Sequence, residues 1–352
     1  MNLLMITVRT DLGGGPKHIL DLIKVLKTTK RNFYLASPLT LPFGPLLKSE
    51  FKDHFELPSR SFNFIVFLNL LKFVKKHQIG IVHSHGRGAG VYARLLYFFG
   101  IKVVHTFHGI HQDKSITGRI KFLFDFLSSP FVDHYIYCSI DEKLIGEKLH
   151  LTFKRKYSVI NNGISLNNFQ CFDESDRPVL TMGVMARNDY QKGLDILFKN
   201  LLFLVEKKIH FKFLIAGIGK NEIIIPNELS NIVMVQGQFD NPVKFLSQLD
   251  LYVSHSRWEG LPLSVLEAMA LKIPCLLSNV TGHHYFIENQ VAFGFELASR
   301  ESFFEVFSRF SENNEAKTQL ATLARSFILE HHDVIKMGQK TALVYDSLSS
   351  IA

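Results

Sequence analysis

Cysteine is scarce in this chain: Cys138, Cys171 and Cys275 are the only three in 352 residues, an odd number with no CxxC spacing. Such a set argues against a disulfide framework and against a structural zinc centre. Tryptophan is scarcer still, with Trp258 alone. Long apolar runs are also missing. One of the longest, Phe62 to Leu71, is interrupted by Asn63 and Asn69 and stops at Lys72, short of the ~20 residues that a bilayer span requires. The opening Met-Asn-Leu-Leu-Met-Ile-Thr-Val has no basic n-region and no small-residue cleavage site, so it reads as a first strand and not as an export signal. With 47% hydrophobic and 20% charged residues, the expectation is a folded, cytoplasmic chain of about two domains.

Charge is divided unevenly. Residues 1–176 hold 23 Lys+Arg against 14 Asp+Glu, net +9, while 177–352 hold 17 against 18, net −1. A basic first half is expected to meet something anionic: nucleic acid, a membrane surface or a phosphorylated substrate.

Short apolar runs alternate with segments of helical period along the whole length, the pattern of an α/β protein with parallel sheets. Leu3 to Val8, Asn32 to Ala36, Gly80 to Ser84, Lys102 to Thr106, His134 to Cys138 and Tyr157 to Ile160 read as strands. Asn161-Asn162-Gly163 and the polar segment Phe172 to Pro178 read as a linker, after which a second strand set begins at Val179. The expected architecture is two doubly wound, Rossmann-like domains facing across a cleft, 1–170 and 171–335. A C-terminal helix, 336–352, is placed so that it could return to the first domain.

Four groups of residues can carry chemistry. Asp11-Leu12-Gly13-Gly14-Gly15-Pro16 follows the first strand, and glycines there let backbone N–H groups approach an anion at a helix N-terminus. The run is neither GxGxxG nor GxxxxGK[ST], which leaves a dinucleotide fingerprint and a P-loop unsupported. Arg187 at a strand end, with Lys192-Gly193 opening the next helix, can set two cations on a phosphate. The richest stretch is Glu259-Gly260-Leu261-Pro262-Leu263-Ser264-Val265-Leu266-Glu267-Ala268-Met269-Ala270. Glu267 sits there among apolar helix neighbours, where an unpaired carboxylate is costly; the hydroxyls of a sugar or ribose would supply donors to both acids. His83-Ser84-His85 and His105-Thr106-Phe107-His108 end apolar strands. Paired HxH spacing could chelate a metal, but no third ligand of defined spacing accompanies it, so hydrogen-bonding histidines are the favoured reading.

In this order the motifs resemble glycosyltransferase family 4, retaining enzymes of GT-B fold. Glu259 to Glu267 matches that family's Glu-x7-Glu motif, Arg187 with Lys192-Gly193 its donor-phosphate pair, and Gly13-Gly14 its first loop. Thr106-Phe107-His108-Gly109 is similar to the segment that carries the family's active-site histidine, and Asn162-Gly163-Ile164 to its linker signature. The resemblance implies that Arg187 and Lys192 neutralise the diphosphate of a nucleotide-sugar, that Glu259 holds hydroxyls of the transferred sugar and Glu267 those of the ribose. It implies further that Gly13, Gly14, Gly260, Leu261 and Pro262 bring backbone to the donor, and that His108 lies at the reacting centre. No metal and no cofactor beyond the nucleotide-sugar co-substrate are implied. Gly15-Pro16 departs from the family's small-then-polar pair, and Gln236 to Asp240 does not separate uridine from guanosine.

The expected activity is transfer of a hexosyl or N-acetylhexosaminyl group, from UDP more than from GDP, to a lipid-linked saccharide of a bacterial surface polysaccharide. Phe62 to Gln78, with Lys72, Lys75 and Lys76, and Arg119 to Phe124 offer apolar and basic patches to an anionic inner-membrane surface. The protein is thus expected to be peripheral on that membrane's cytoplasmic face. A sugar-nucleotide epimerase of similar fold, a silent GT-B binding module and a basic nucleic-acid- or scaffold-binding protein are the rivals. The paired acids and cations disfavour the first two, and no aromatic-basic RNA signature supports nucleic acid.

Overall fold

The computed structural model describes residues 1–110, 115–152, 155–170, 177–238 and 241–349. The chain divides into two compact units, Met1–Gly163 with Val334–Ala352, and Ile164–Asp333. The first division thus falls at Gly163/Ile164 and not at 170/171, because Ile164 already pairs with Asp333 of the second unit. Most of the polar linker, together with Cys171, lies outside the described residues.

The first unit carries strands β1 (Asn2–Ile6), β2 (Asn32–Ser37), β3 (His54–Glu56), β4 (Ile81–His85), β5 (Lys102–Thr106), β6 (His134–Tyr137) and β7 (Lys156–Val159). Helices α1 (Gly14–Leu26), α2 (Phe43–Glu50), α3 (Phe64–Lys76), α4 (Arg87–Tyr97), α5 (Ile116–Leu127) and α6 (Ile140–Lys148) alternate with them. All pairings are parallel, in the order β3-β2-β1-β4-β5-β6-β7. Leu3, Leu4, Met5 and Ile6 of β1 are all fully buried, as a central strand covered on both faces requires. Their alternation sorts them: Leu3 and Met5 pack with Ile19, Leu22, Ile23 and Leu26 of α1, whereas Leu4 and Ile6 pack with Phe67, Leu70 and Leu96 of α3 and α4. The α1 residues recur at the spacing that gives a helix one apolar stripe.

The second unit repeats the plan with β8 (Leu180–Met185), β9 (Phe211–Ala216), β10 (Val233–Gly237), β11 (Leu251–Ser254), β12 (Cys275–Ser278) and β13 (Phe293–Phe295). Its helices are α7 (Leu194–Glu206), α8 (Pro242–Leu246), α9 (Leu263–Ala270), α10 (His284–Glu288), α11 (Arg300–Glu312) and α12 (Asn314–His331). The parallel order is β10-β9-β8-β11-β12-β13. In both sheets the order reverses beside the first strand of the unit, between β1 and β4 and between β8 and β11. Connections leave those strands toward opposite faces, and a crevice opens at their carboxyl ends.

The last helix, α13 (Val334–Ser349), belongs to the first unit: Val334, Met337, Val344, Tyr345 and Leu348 join the α1 side of its core. No helix among the described residues is long and apolar enough to cross a membrane.

Candidate active site

In the second unit the β8 and β11 loops meet at the switch point. Asp189 caps a short turn, its carboxylate accepting from the Lys192 amide at 3.2 Å, and also accepts from Arg187 Nε at 2.9 Å. The turn delivers Lys192 to Glu259, Nζ to Oε1 2.6 Å, with both side chains largely buried. Glu259 Oε1 also accepts from Ser256 Oγ at 2.7 Å, and Oε2 from Gln191 Nε2 at 3.2 Å. Burial works to raise the Glu259 carboxyl, but the charge of Lys192 and the hydrogen bonds from Lys192 and Ser256 hold it below the ordinary glutamate range. Glu259 is therefore a carboxylate at neutral pH, ready to accept from hydroxyls.

Two glycines make this packing possible. Gly193 has φ 63°, and a Cβ there would lie 2.0 Å from the His255 carbonyl oxygen. Gly282 has φ 81°, and its Cβ would lie 2.7 Å from the Glu259 backbone. Both are positions that L side chains avoid. Arg257, next to the motif, is taken up structurally: it donates to Asp195 at 2.9 and 2.6 Å and lies 3.8 Å above the Tyr190 ring. Glu267 is buried on α9, Leu261 is buried, and Pro262 stands at the helix's N-terminal cap.

Sequence reasoning missed Gln191, Ser256 and His283 here. His283 is fully buried, holds the Ser278 carbonyl through Nδ1 at 3.1 Å, and is brought down to about 4 by burial, with Glu259 opposing. Its position two residues after Thr281, whose carbonyl accepts from the Glu259 amide at 2.9 Å, places it beside the acid. Nothing short of the tertiary pairing of these two loops could have revealed it. Of the expected base-side loop, Phe239 and Asp240 lie outside the described residues.

In the first unit the same end of the sheet gathers histidines. Gly13 caps α1 in extended backbone, and a Cβ on Gly14 or Gly15 would meet no protein atom within 4 Å, so packing does not demand glycine there. One turn on, His18 shares Nδ1 with Asn162 Oδ1 at 3.0 Å, which gives the linker asparagine a defined task. His85 Nδ1 and His108 Nε2 are 3.0 Å apart, and the His18 and His108 rings stand edge to face at 4.6 Å. His83 turns elsewhere, to Tyr345 Oη at 2.6 Å and Thr106 Oγ1 at 2.8 Å. Burial lowers His18 to about 4 and His83 to about 3, and holds His85 and His108 well below the usual histidine value. These imidazoles are neutral at pH 7, so His108 can donate or accept a hydrogen bond but carries no charge.

His18, His85 and His108 place one ligand atom each within 4.8 Å of one another and could hold a transition-metal ion. Of the HxH pair only His85 takes part; His18 of α1 and His108 of the loop after β5 complete the set. Ring nitrogens of all three are already hydrogen-bonded, His18 Nδ1 with Asn162 Oδ1 and His85 Nδ1 with His108 Nε2.

The first unit matches the family described as Glycosyltransferase Family 4 over residues 12–168, and the second matches Glycosyl transferases group 1 over 176–313. An Escherichia coli UDP-Gal:alpha-D-GlcNAc-diphosphoundecaprenol alpha-1,3-galactosyltransferase is 23% identical over 303 residues, covering 79% of this chain and 78% of its own. The E. coli O-antigen biosynthesis glycosyltransferase WclY is 27% identical over 307 residues, covering 78% and 82%. Among solved structures, sucrose-phosphate synthase from Thermosynechococcus elongatus superposes with a TM-score of 0.85 at 15% identity over 100% of both chains. Anabaena HepE in complex with UDP and glucose gives 0.80 at 14% identity, covering 99% of this chain and 100% of that one. Fold and sequence likeness together define a glycosyltransferase of GT-B type. Within that class the chain belongs to glycosyltransferase family 4.

Proposed function

We propose that this glycosyltransferase moves a hexosyl or N-acetylhexosaminyl group from a UDP-sugar, with retention, to a lipid-linked saccharide in bacterial O-antigen or related surface-polysaccharide biosynthesis. The observation that carries the reading is the Lys192–Glu259 pair, with Gln191 and Ser256 around it, at the β8/β11 switch point. The E. coli relatives named for O-antigen synthesis and for a diphosphoundecaprenol acceptor support the substrate class, and HepE's complex with UDP and glucose supports the nucleotide.

On this reading Arg187 and Lys192 neutralise the diphosphate and stabilise it as charge develops on the leaving group. Glu259 fixes sugar hydroxyls, Glu267 takes those of the ribose, and Gly13 and Gly14 with Gly260, Leu261 and Pro262 bring backbone against the donor. His108, neutral, contacts the sugar by hydrogen bonding. The acceptor hydroxyl attacks from the face of departure, and the diphosphate itself takes its proton, so neither a protein base nor a metal is needed. Titration of the protein with UDP and GDP in EDTA tests this: micromolar binding of UDP is expected, lost in the Arg187→Ala/Lys192→Ala double variant. Binding of GDP alone would change the donor class, and binding of neither would leave the family's fold without this donor site.

The acceptor side is proposed to rest on an anionic membrane. Phe67, Leu70 and Val74 of α3 go into the core, yet Phe64, Ile65 and Leu68 remain exposed on the helix that carries exposed Lys72, Lys75 and Lys76. On α5, Ile120, Leu123 and Leu127 are exposed near Arg119 and Lys121. Apolar side chains beside lysines are what an interfacial helix presents to lipid. Each lysine near an anionic surface contributes about 1 kcal/mol, so replacing the three α3 lysines by alanine is expected to weaken sedimentation with phosphatidylglycerol vesicles by about a hundredfold. Unchanged sedimentation removes α3 from the membrane contact.

A further inference from the structure

Glu142 stands at the first turn of α6, fully buried. Ser139 caps that helix and accepts the Glu142 amide at 3.1 Å, which sets where the side chain starts. Its two oxygens then leave the helix. Oε1 accepts from the Gly109 amide at 2.5 Å and Oε2 from the Cys138 amide at 2.6 Å. These are the two backbone points that flank His108: Gly109 is its successor in the chain, and Cys138 Sγ lies 3.7 Å from His108 Nδ1. His108 itself sits at φ 62°, a left-handed conformation that a non-glycine residue holds only when its surroundings impose it. Among the described residues the carboxylate's stabilising partners are these two N–H groups alone. A buried carboxylate without a cation is expensive, and α6 already has its cap in Ser139.

We infer that Glu142 is the positioning residue for His108, clamping the loop after β5 to the end of β6 so that the imidazole keeps one orientation. The structural clamp stands on its own, while its catalytic consequence rests on the role proposed for His108.

The clamp needs the ionised form. A protonated acid has one hydroxyl oxygen that is a poor acceptor, so one of the two N–H bonds weakens. Burial pushes Glu142 up to about 7, with the Cys138 and Gly109 N–H groups opposing. The titratable groups around it are Tyr137 at the end of β6 and Cys138 just after it, both raised by burial, and His108 of the loop after β5, lowered well out of range, so Glu142 is the member of the set that titrates near neutrality. The clamp is therefore intact above pH 7 and loosens below it.

The full-length protein with 15N-labelled histidine decides the matter, His108 being assigned through a His108→Asn variant. In the wild type the His108 ring resonances are expected to shift with an inflection near pH 7. In Glu142→Gln, whose amide turns an N–H toward one of the two donors, the resonances move and the inflection disappears. Transfer from UDP-galactose to GlcNAc-diphosphoundecaprenol should lose about 10- to 100-fold in kcat, as expected for a displaced catalytic group, with donor KM and UDP affinity within about twofold. Ring resonances that ignore both the pH step and the substitution overturn the inference; so does a displaced ring with unchanged kcat. Should Glu142→Gln not fold, the wild-type titration still decides. Absence of transfer in the wild type counts against the proposed substrates and leaves the resonances as judge of the clamp.

Discussion

Lys192→Ala is expected to weaken UDP binding more than a hundredfold and to lower the melting temperature of the protein by about 10 °C. The two losses have separate origins. Lys192 Nζ lies 2.6 Å from Glu259 Oε1, and the side chains retain 14% and 8% of their exposure, so the pair is nearly out of water. Removing one partner of a buried pair strands the other charge, at a cost of roughly 3–5 kcal/mol, and each kcal/mol moves the midpoint of a domain this size by about 2–4 °C. The binding loss comes from deleting a cation that the diphosphate would use. Glu259→Gln separates these effects. It keeps the lysine, now a buried cation without its counter-ion, so stability falls here too, but UDP affinity should stay within about fivefold while transfer falls by about a thousandfold. The Lys192→Met/Glu259→Gln double variant should recover most of the stability and none of the binding, a coupling that a double-mutant cycle measures directly. If Lys192→Ala binds UDP within threefold of the wild type, this lysine is not part of the donor site.

The residues involved show which part of such a site can be read from a chain alone. Glu259 and Glu267, Lys192 and Gly193 lie within short segments whose spacing is local, so the pattern survives without tertiary knowledge. Ser256 and Gln191 do not. Each is an ordinary polar residue until β8 and β11 stand side by side and the loops following them converge. The histidines divide in the same way. Their positions at strand ends were legible from the apolar runs of β4 and β5, but the partnership of His85 with His108, and of His18 with Asn162 across most of the first unit, is a product of strand order. The fold shows a parallel limit. Central strands such as β1 are continuous apolar runs and announce themselves, whereas β3, with His54, Phe55 and Glu56, and β13, with Phe293, Gly294 and Phe295, are three-residue edges with no periodicity to find. α11 and α12, each over ten residues, were missed for a different reason, since their charged faces dilute the apolar stripe that Phe303, Phe307 and Phe310 or Ala321, Ala324 and Ile328 provide.

Removing α13 is expected to prevent the first unit from reaching its native packing. Val334, Met337, Val344, Tyr345 and Leu348 are each at most 7% exposed and share a core with β1 and α1. At about 1.5–3 kcal/mol for each fully buried apolar side chain, their loss is comparable to the 5–15 kcal/mol by which a domain is typically stable. The helix also closes polar accounts inside the sheet. Tyr345 Oη bonds His83 Nδ1 at 2.6 Å, and the Gly163 amide reaches Met337 Sδ at 3.3 Å. Tyr345→Phe isolates the first of these: it leaves the packing and strips His83 of a partner, which should cost about 1–3 kcal/mol and appear as a lowered melting temperature with UDP affinity little changed, since Arg187, Lys192 and Glu267, proposed to hold the diphosphate and the ribose, lie in the other unit. A chain ending at Asp333 that still melts cooperatively within a few degrees of the full protein would refute the dependence. If the dependence holds, it orders folding as well. β1 and α1 leave the ribosome before the second unit and α13 after it, so the first unit cannot complete its core until the second has been synthesised, and contacts of such long sequence separation are the slow ones to form.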